Sequence, residues 1–180
     1  MSLVYKMSPM IGISNVGFVY SFSPIFGYAL GMRDWKRARE AMRNGLIWQM
    51  SIGLVFWFVM NMSCEAFDLA FMEGYDPMAD LGAFGMRCWH CMLPFLPAFL
   101  MMKEISKMEY KPFKALVVQG SRIVFVVVFE LIFGYKIPAV EGLYYAFIAG
   151  DFCASVVGLI VFIERYITYG KLERGEITPE

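Results

Sequence analysis

Hydrophobic positions along this chain occur in long runs rather than in the alternation of a half-buried strand or the stripe of a soluble amphipathic helix. Positions 8–30 carry no ionisable side chain over 23 residues, and 45–62 carry none over 18. Three further runs are less pure. The run 81–102 contains Arg87 and His90, 113–134 holds Arg122 and Glu130, and 139–163 has Glu141 near its start and Asp151 in the middle. A bilayer core about 30 Å thick needs about 20 helical residues to cross it, so the pattern predicts an all-α polytopic membrane protein of about five spans. A transmembrane barrel strand would need only about 10 residues of alternating polarity, and such alternation is not the pattern here. Backbone groups in lipid must also be satisfied within the segment, which a helix does.

The charges sit between these runs in blocks of one sign. Arg33, Lys36, Arg37, Arg39 and Arg43 follow the first run, and Lys103, Lys107, Lys111 and Lys114 follow the third. Arg165, Lys171 and Arg174 follow the fifth. The second connection holds Glu65, Asp68, Glu73, Asp76 and Asp80 without a Lys or Arg. Basic connections stay on the cytoplasmic side, which predicts a multi-pass cell-membrane protein with a cytoplasmic tail over 164–180. An odd number of spans then places Met1 outside, with an upstream segment expected before it.

Composition agrees: 59% of residues are hydrophobic, 18% are charged, and mean hydropathy is +0.55. The net charge of zero is an average over segregated blocks. No basic footprint for nucleic acid is visible, and no cleaved presequence is read, because the first apolar run is too long for a signal peptide. The basic connections need no partner beyond water and anionic lipid headgroups. No hydrolase, phosphate-loop or metalloprotease motif appears, so the chain is read as no enzyme.

Ionisable side chains inside spans are costly and normally face protein or water. Asp151 is the best placed of them. Burial favours a bound proton on such a carboxyl, and a wetter site suits Na⁺ or a cationic ligand; a plain role as acceptor for a neighbouring helix fits equally well. Glu130 lies toward the outer half and suits either the outer headgroups or a cavity. Arg122 is about 12 Å from Glu130 along one helix and about 80° around it, so the two are not partners. Arg122 is read as snorkelling to the inner headgroups.

Pro24, Pro94 and Pro97 interrupt spans, as kinks or helix breaks at working sites or in plain packing. Gly27 and Gly31 form a Gly-x-x-x-Gly pair that permits close helix approach. His90 is a polar group for a transport cavity or for packing. Cys88 and Cys91 flank it on one helix face, but Cys64 and Cys153 stand apart, so a four-ligand zinc site or redox motif is not expected.

Four segments in order carry a family likeness. Pro24, Gly27, Tyr28 and Gly31 followed by "RDWKRAREAMRNG" look like the end of the eighth helix of the multidrug and toxic compound extrusion (MATE) transporters. "GMRCWHCMLPF", with Arg87, Leu93 and Pro94, is similar to their tenth-helix pattern. "YKPFKALVVQGSRIV", with Arg122, resembles the loop entering the eleventh helix, and "EGLYYAFIAGDFCAS", with Gly142, Ala146 and Asp151, the start of the twelfth. The likeness covers nearly all of the chain. It implies helices eight to twelve of a twelve-helix antiporter that exports organic, often cationic, compounds in exchange for Na⁺ or H⁺, with no cofactor beyond that ion. It also implies a missing N-terminal lobe or an oligomeric partner. The tenth-helix carboxylate of some members has no counterpart between Leu81 and Lys103. Alternatives are a truncated or accessory membrane polypeptide without transport of its own, and a lipid-linked sugar flippase of the wider superfamily.

Overall fold

A computed structural model describes residues 2–71, 84, 85, 87, 88, 90–137 and 140–178, without the side chains of 2–15, 64–71 and 140. Among these the secondary structure is entirely helical. Helix α1 is Ser2–Gly31, α2 Trp35–Phe71, α3 Leu96–Met108, α4 Pro112–Lys136 and α5 Val140–Glu173. Three stretches are long and apolar enough to cross a membrane: Trp35–Ser63, Pro112–Lys136 and Glu141–Glu173. At 1.5 Å per residue, α4 alone is ~37 Å long, more than the hydrocarbon thickness.

Three tight chain reversals gather one set of helix ends. At the end of α1 the Arg33 N–H donates to the Leu30 carbonyl and the Asp34 N–H to the Ala29 carbonyl, with Arg33 at φ +55°. At the end of α3 the Tyr110 N–H donates to Lys107 and the Lys111 N–H to Ser106, with Tyr110 also at φ +55°. The end of α5 repeats the pattern on Leu172 and Lys171, with Gly175 at φ +71°. All three are Schellman caps, which satisfy carbonyls that a helix end leaves orphaned. Asp34 then starts α2: its Oδ1 accepts from the Arg37 N–H at 3.0 Å, and Pro112 opens α4, where its missing N–H is not needed.

The gathered ends form a basic end with one shared core. Val19, Phe22, Phe26 and Ala29 of α1, Ala38 and Met42 of α2, Met101, Met102 and Ile105 of α3, and Phe162 and Tyr169 of α5 are buried together. The Trp35 ring stacks on Tyr169 at 5.9 Å. Helix α3 occupies the middle and contacts all four others. By contrast α4 buries only Ala115 and Val118, leaving Ile123, Val124, Val127, Val128, Leu131 and Ile132 exposed. An apolar face of this extent on a helix long enough to span matches lipid rather than water as its solvent.

The expected span 81–102 is not one continuous helix. Residues 84, 85, 87, 88 and 90 are helical, and turns follow at 91–95 before α3 begins. Pro94 and Pro97 lack the N–H groups that would close the ladder there. Pro97 falls at the start of α3 and is fully buried. Pro24 is exposed in α1, which continues through it to Gly31. The tail expected over 164–180 starts as a continuation of α5, which runs on to Glu173. Glu73, Asp76 and Asp80 of the acidic connection lie outside the described residues, as do the side chains of Glu65 and Asp68.

Helix α5 packs closely on α3 and α4 through a stripe of small residues four apart: Gly142, Ala146, Gly150, Ala154 and Gly158, all buried. A Cβ at Gly158 would lie 2.7 Å from the Phe99 Cα of α3, and one at Gly150 2.8 Å from the Val126 Cα of α4. Both neighbours are backbone and cannot swing aside. The sequence-level pair Gly27 and Gly31 does no such work: Gly31 faces open space, and Gly27 has only the Met108 Sδ at 3.8 Å.

Gly158→Ala is expected to destabilise the protein by about 1–3 kcal/mol through overpacking. Gly120→Ala, with nothing within 4 Å, should be neutral or stabilise by up to about 1 kcal/mol through helix propensity. Melting of the two variants in detergent, followed by tryptophan fluorescence, distinguishes them; equal melting temperatures would contradict the packing described.

Candidate membrane-embedded charge site

The close approach at Gly150 places Asp151 beside α4. Four residues before Val126 on that helix is Arg122, and its guanidinium grips the carboxylate with two bonds: Nε to Oδ1 at 2.6 Å and Nη2 to Oδ2 at 3.1 Å. Two parallel N–H···O bonds are the strong, orientation-fixing form of this ion pair. Asp151 is buried, while the Arg122 side chain is one third exposed. The guanidinium carbon also lies 5.9 Å from the centre of the Phe99 ring, within cation–π range. One turn on, the Ser155 hydroxyl donates to the Asp151 carbonyl at 2.7 Å. The pair therefore joins α3, α4 and α5.

Arg122 is ten residues from the start of α4, ~15 Å from the basic end and close to half the thickness of a bilayer core. The expectation that Arg122 snorkels to the headgroups is thus corrected. Its partner comes not from its own helix, where Glu130 lies too far away, but from the next helix, which the linear sequence does not reveal. Of the two proposed uses of Asp151, acceptor for a neighbouring helix is the one the structure displays.

Beside Asp151 lies a void of about 10 Å³ lined by Cys88, Met92, Tyr144, Phe147 and Ile148, roughly what a single water needs. Tyr144 and Tyr145 each meet the Phe84 ring edge-on, at 6.3 and 5.7 Å, which seats Phe84 against α5. His90, just before the turns at 91–95, is buried. Cys88 is buried and Cys91 exposed, and the Cys91 N–H still donates to the Arg87 carbonyl one turn back. Among the described residues no three His, Cys, Asp or Glu side chains gather as a metal site. Glu130 is half-buried ~12 Å farther along α4 and forms no ion pair among the described residues. Pro24 and Gly27 are on α1, away from this charge pair.

A second polar cluster escaped the sequence reading. At the basic end, Arg165 and Glu109 pair at 3.0 Å with both side chains 7% exposed, and the Tyr169 hydroxyl donates to the other carboxylate oxygen of Glu109. Arg165 had been assigned to the tail. Its four-residue spacing from Tyr169, which puts both on one helix face, was the available signal. Around this cluster Lys114 meets Glu164 at 2.6 Å, and Arg39 meets Glu173 at 3.4 Å while lying 4.3 Å over the Tyr166 ring.

Comparison of the chain with protein-family models, curated proteins and solved structures found no match. The MATE resemblance therefore stands on the ordered sequence motifs alone.

Removing one member of the mid-span pair strands the other. Arg122→Gln and Asp151→Asn are each expected to destabilise by about 3 kcal/mol, while the double change to Met and Leu should cost much less than their sum. Thermal melting of the three variants in one detergent checks this, and additive losses would contradict it.

Proposed function

We propose that this chain is part of a cation-coupled antiporter of the MATE type, exporting organic cations across the cell membrane, with its basic helix ends in the cytoplasm. The observation that carries the reading is a single carboxylate, Asp151, a third of the way along apolar α5 and held by Arg122 near the middle of apolar α4. In the middle of a membrane such a carboxylate has few partners of comparable strength: the guanidinium, a proton, Na⁺ or a cationic substrate. Because it can satisfy only one fully, these partners exclude one another. Mutual exclusion at one group is what exchange of a substrate for an ion requires. Proton binding cancels the charge that holds Arg122, and the freed guanidinium then opposes a neighbouring cation. Loss of the proton restores the pair. The helix break at Pro94 supports the reading further, since interrupted helices accompany binding sites in transporters. The ordered motifs from Pro24 to Asp151 supply the family.

A second reading is favoured by the small void and the saturated pair. In it the pair is a packing lock in an accessory membrane polypeptide without transport of its own.

The two readings part in vesicles containing the 180-residue chain, in which efflux of a fluorescent cationic dye is followed under an imposed proton or sodium gradient. Gradient-driven efflux from the native chain, lost in folded and inserted Asp151→Asn, is expected of the antiporter. Absence of efflux from native, inserted protein favours the packing lock. Efflux that persists unchanged in Asp151→Asn removes Asp151 from coupling.

A further inference from the structure

Among the described residues Glu130 has no hydrogen bond or ion pair, although it is half-buried on apolar α4. It lies ~27 Å along the helix from the basic end, below Tyr135, which is 91% exposed and suits the outer interface. Side chains of a helix tilt toward its N-terminus, so this carboxyl points back into the hydrocarbon and not out to the headgroups. At that depth a carboxyl needs a polar partner at the same level.

The face of α4 that carries Glu130 has the form of a helix-packing seam. Leu116, Gly120, Ile123, Val127, Glu130 and Gly134 follow at intervals of four, three, four, three and four, the spacing that packs two helices at about +20°. This line is separate from the one through Arg122 and Val126 that packs on α5. Leu116, Ile123 and Val127 are 68%, 60% and 48% exposed, and a Cβ at Gly120 or Gly134 would meet nothing within 4 Å. Both glycines weaken the helix relative to alanine without serving any contact inside the chain. Their use is to let another backbone come close.

Two copies in one bilayer share an orientation, so the second presents the same seam at the same depth. About a two-fold axis along the membrane normal, each seam position meets its own counterpart. Glu130 then faces Glu130, and one proton held between the carboxyls makes an O–H···O⁻ hydrogen bond in place of repulsion. A second copy is the partner that necessarily brings a matching group to this level.

We propose that this face of α4 is a homodimer seam, on which a second copy of the chain packs in parallel with the two Glu130 carboxyls paired. The proposal rests on membrane placement and not on transport. Full chains tagged at the C-terminus with donor or acceptor fluorophores are diluted with lipid in vesicles, and energy transfer is read against the protein-to-lipid ratio. Native protein is expected to show saturable transfer. Glu130→Leu and Gly134→Ile should each weaken association about tenfold without lowering monomer melting, whereas Glu130→Gln, whose amide pairs with itself, retains it. In a background without native cysteines, oxidation should link Val127→Cys copies to one another. Val128→Cys, at a site 43% exposed in the native chain but about 100° around the helix, should stay unlinked. Native transfer no greater than random crowding overturns the proposal and leaves the carboxyl to a helix of another protein. Unchanged association in both Glu130→Leu and Gly134→Ile, or equal linking at the two valine positions, overturns it too.

Discussion

Close backbone contact along α5 is the constraint from which the other features follow. Apolar residues gain nothing by leaving lipid for another apolar surface, so helices associate in a bilayer where small residues allow tight van der Waals packing. The stripe Gly142, Ala146, Gly150, Ala154, Gly158 provides it, drawing α4 to Gly150 and α3 to Gly158. The α4–α5 pairing is the most extensive in the bundle. Since α4 contributes little beyond that seam and a small contact through Phe99, Val118 and Ala154, its remaining surface is left to the surrounding solvent.

Two electrostatic layers are built on this packing. The mid-span layer is the Arg122–Asp151 pair, possible only because Gly150 lets the two backbones approach. The layer at the basic end is broader, with Glu109 bound by both Arg165 and Tyr169 and with ion pairs from α2 to α5 and from α4 to α5. Buried pairs contribute less to net stability than to fixing which helix lies beside which, because desolvation offsets much of their attraction. In this fold both layers attach to α5, one about a third of the way along it and one near its end.

Helical class and the positions of the purest runs were legible because they depend on local hydropathy: 45–62 lies inside α2, and 113–134 nearly coincides with α4. The basic blocks likewise mark helix ends that the three reversals bring together. What depended on contact between distant segments was not legible. Arg122 found its partner 29 residues away on another helix. Arg165 looked like a tail residue because charge was read without a binding partner across the bundle. The break before α3 was signalled by Pro94 and Pro97, but whether paired prolines kink or interrupt a helix depends on what packs beside them, and here a Cβ at Gly53 of α2 would fall 2.6 Å from the Leu93 carbonyl oxygen. The small-residue stripe is visible in the letters, but so is the pair Gly27 and Gly31, and only the packing distinguishes the one that carries a close approach.

The central claim is that the helices cross a membrane with the basic ends of α1 to α5 on one side. Single cysteines at Lys36, Lys107 and Lys171, and a fourth at Tyr135 near the far end of α4, placed in a background with the four native cysteines replaced, test it by labelling with an impermeant maleimide in sealed vesicles of known orientation. The account predicts that the first three are labelled from the same, cytoplasmic, face and Tyr135→Cys from the other. Labelling of Lys36→Cys and Lys107→Cys from opposite faces, or of all four from one face, would contradict it.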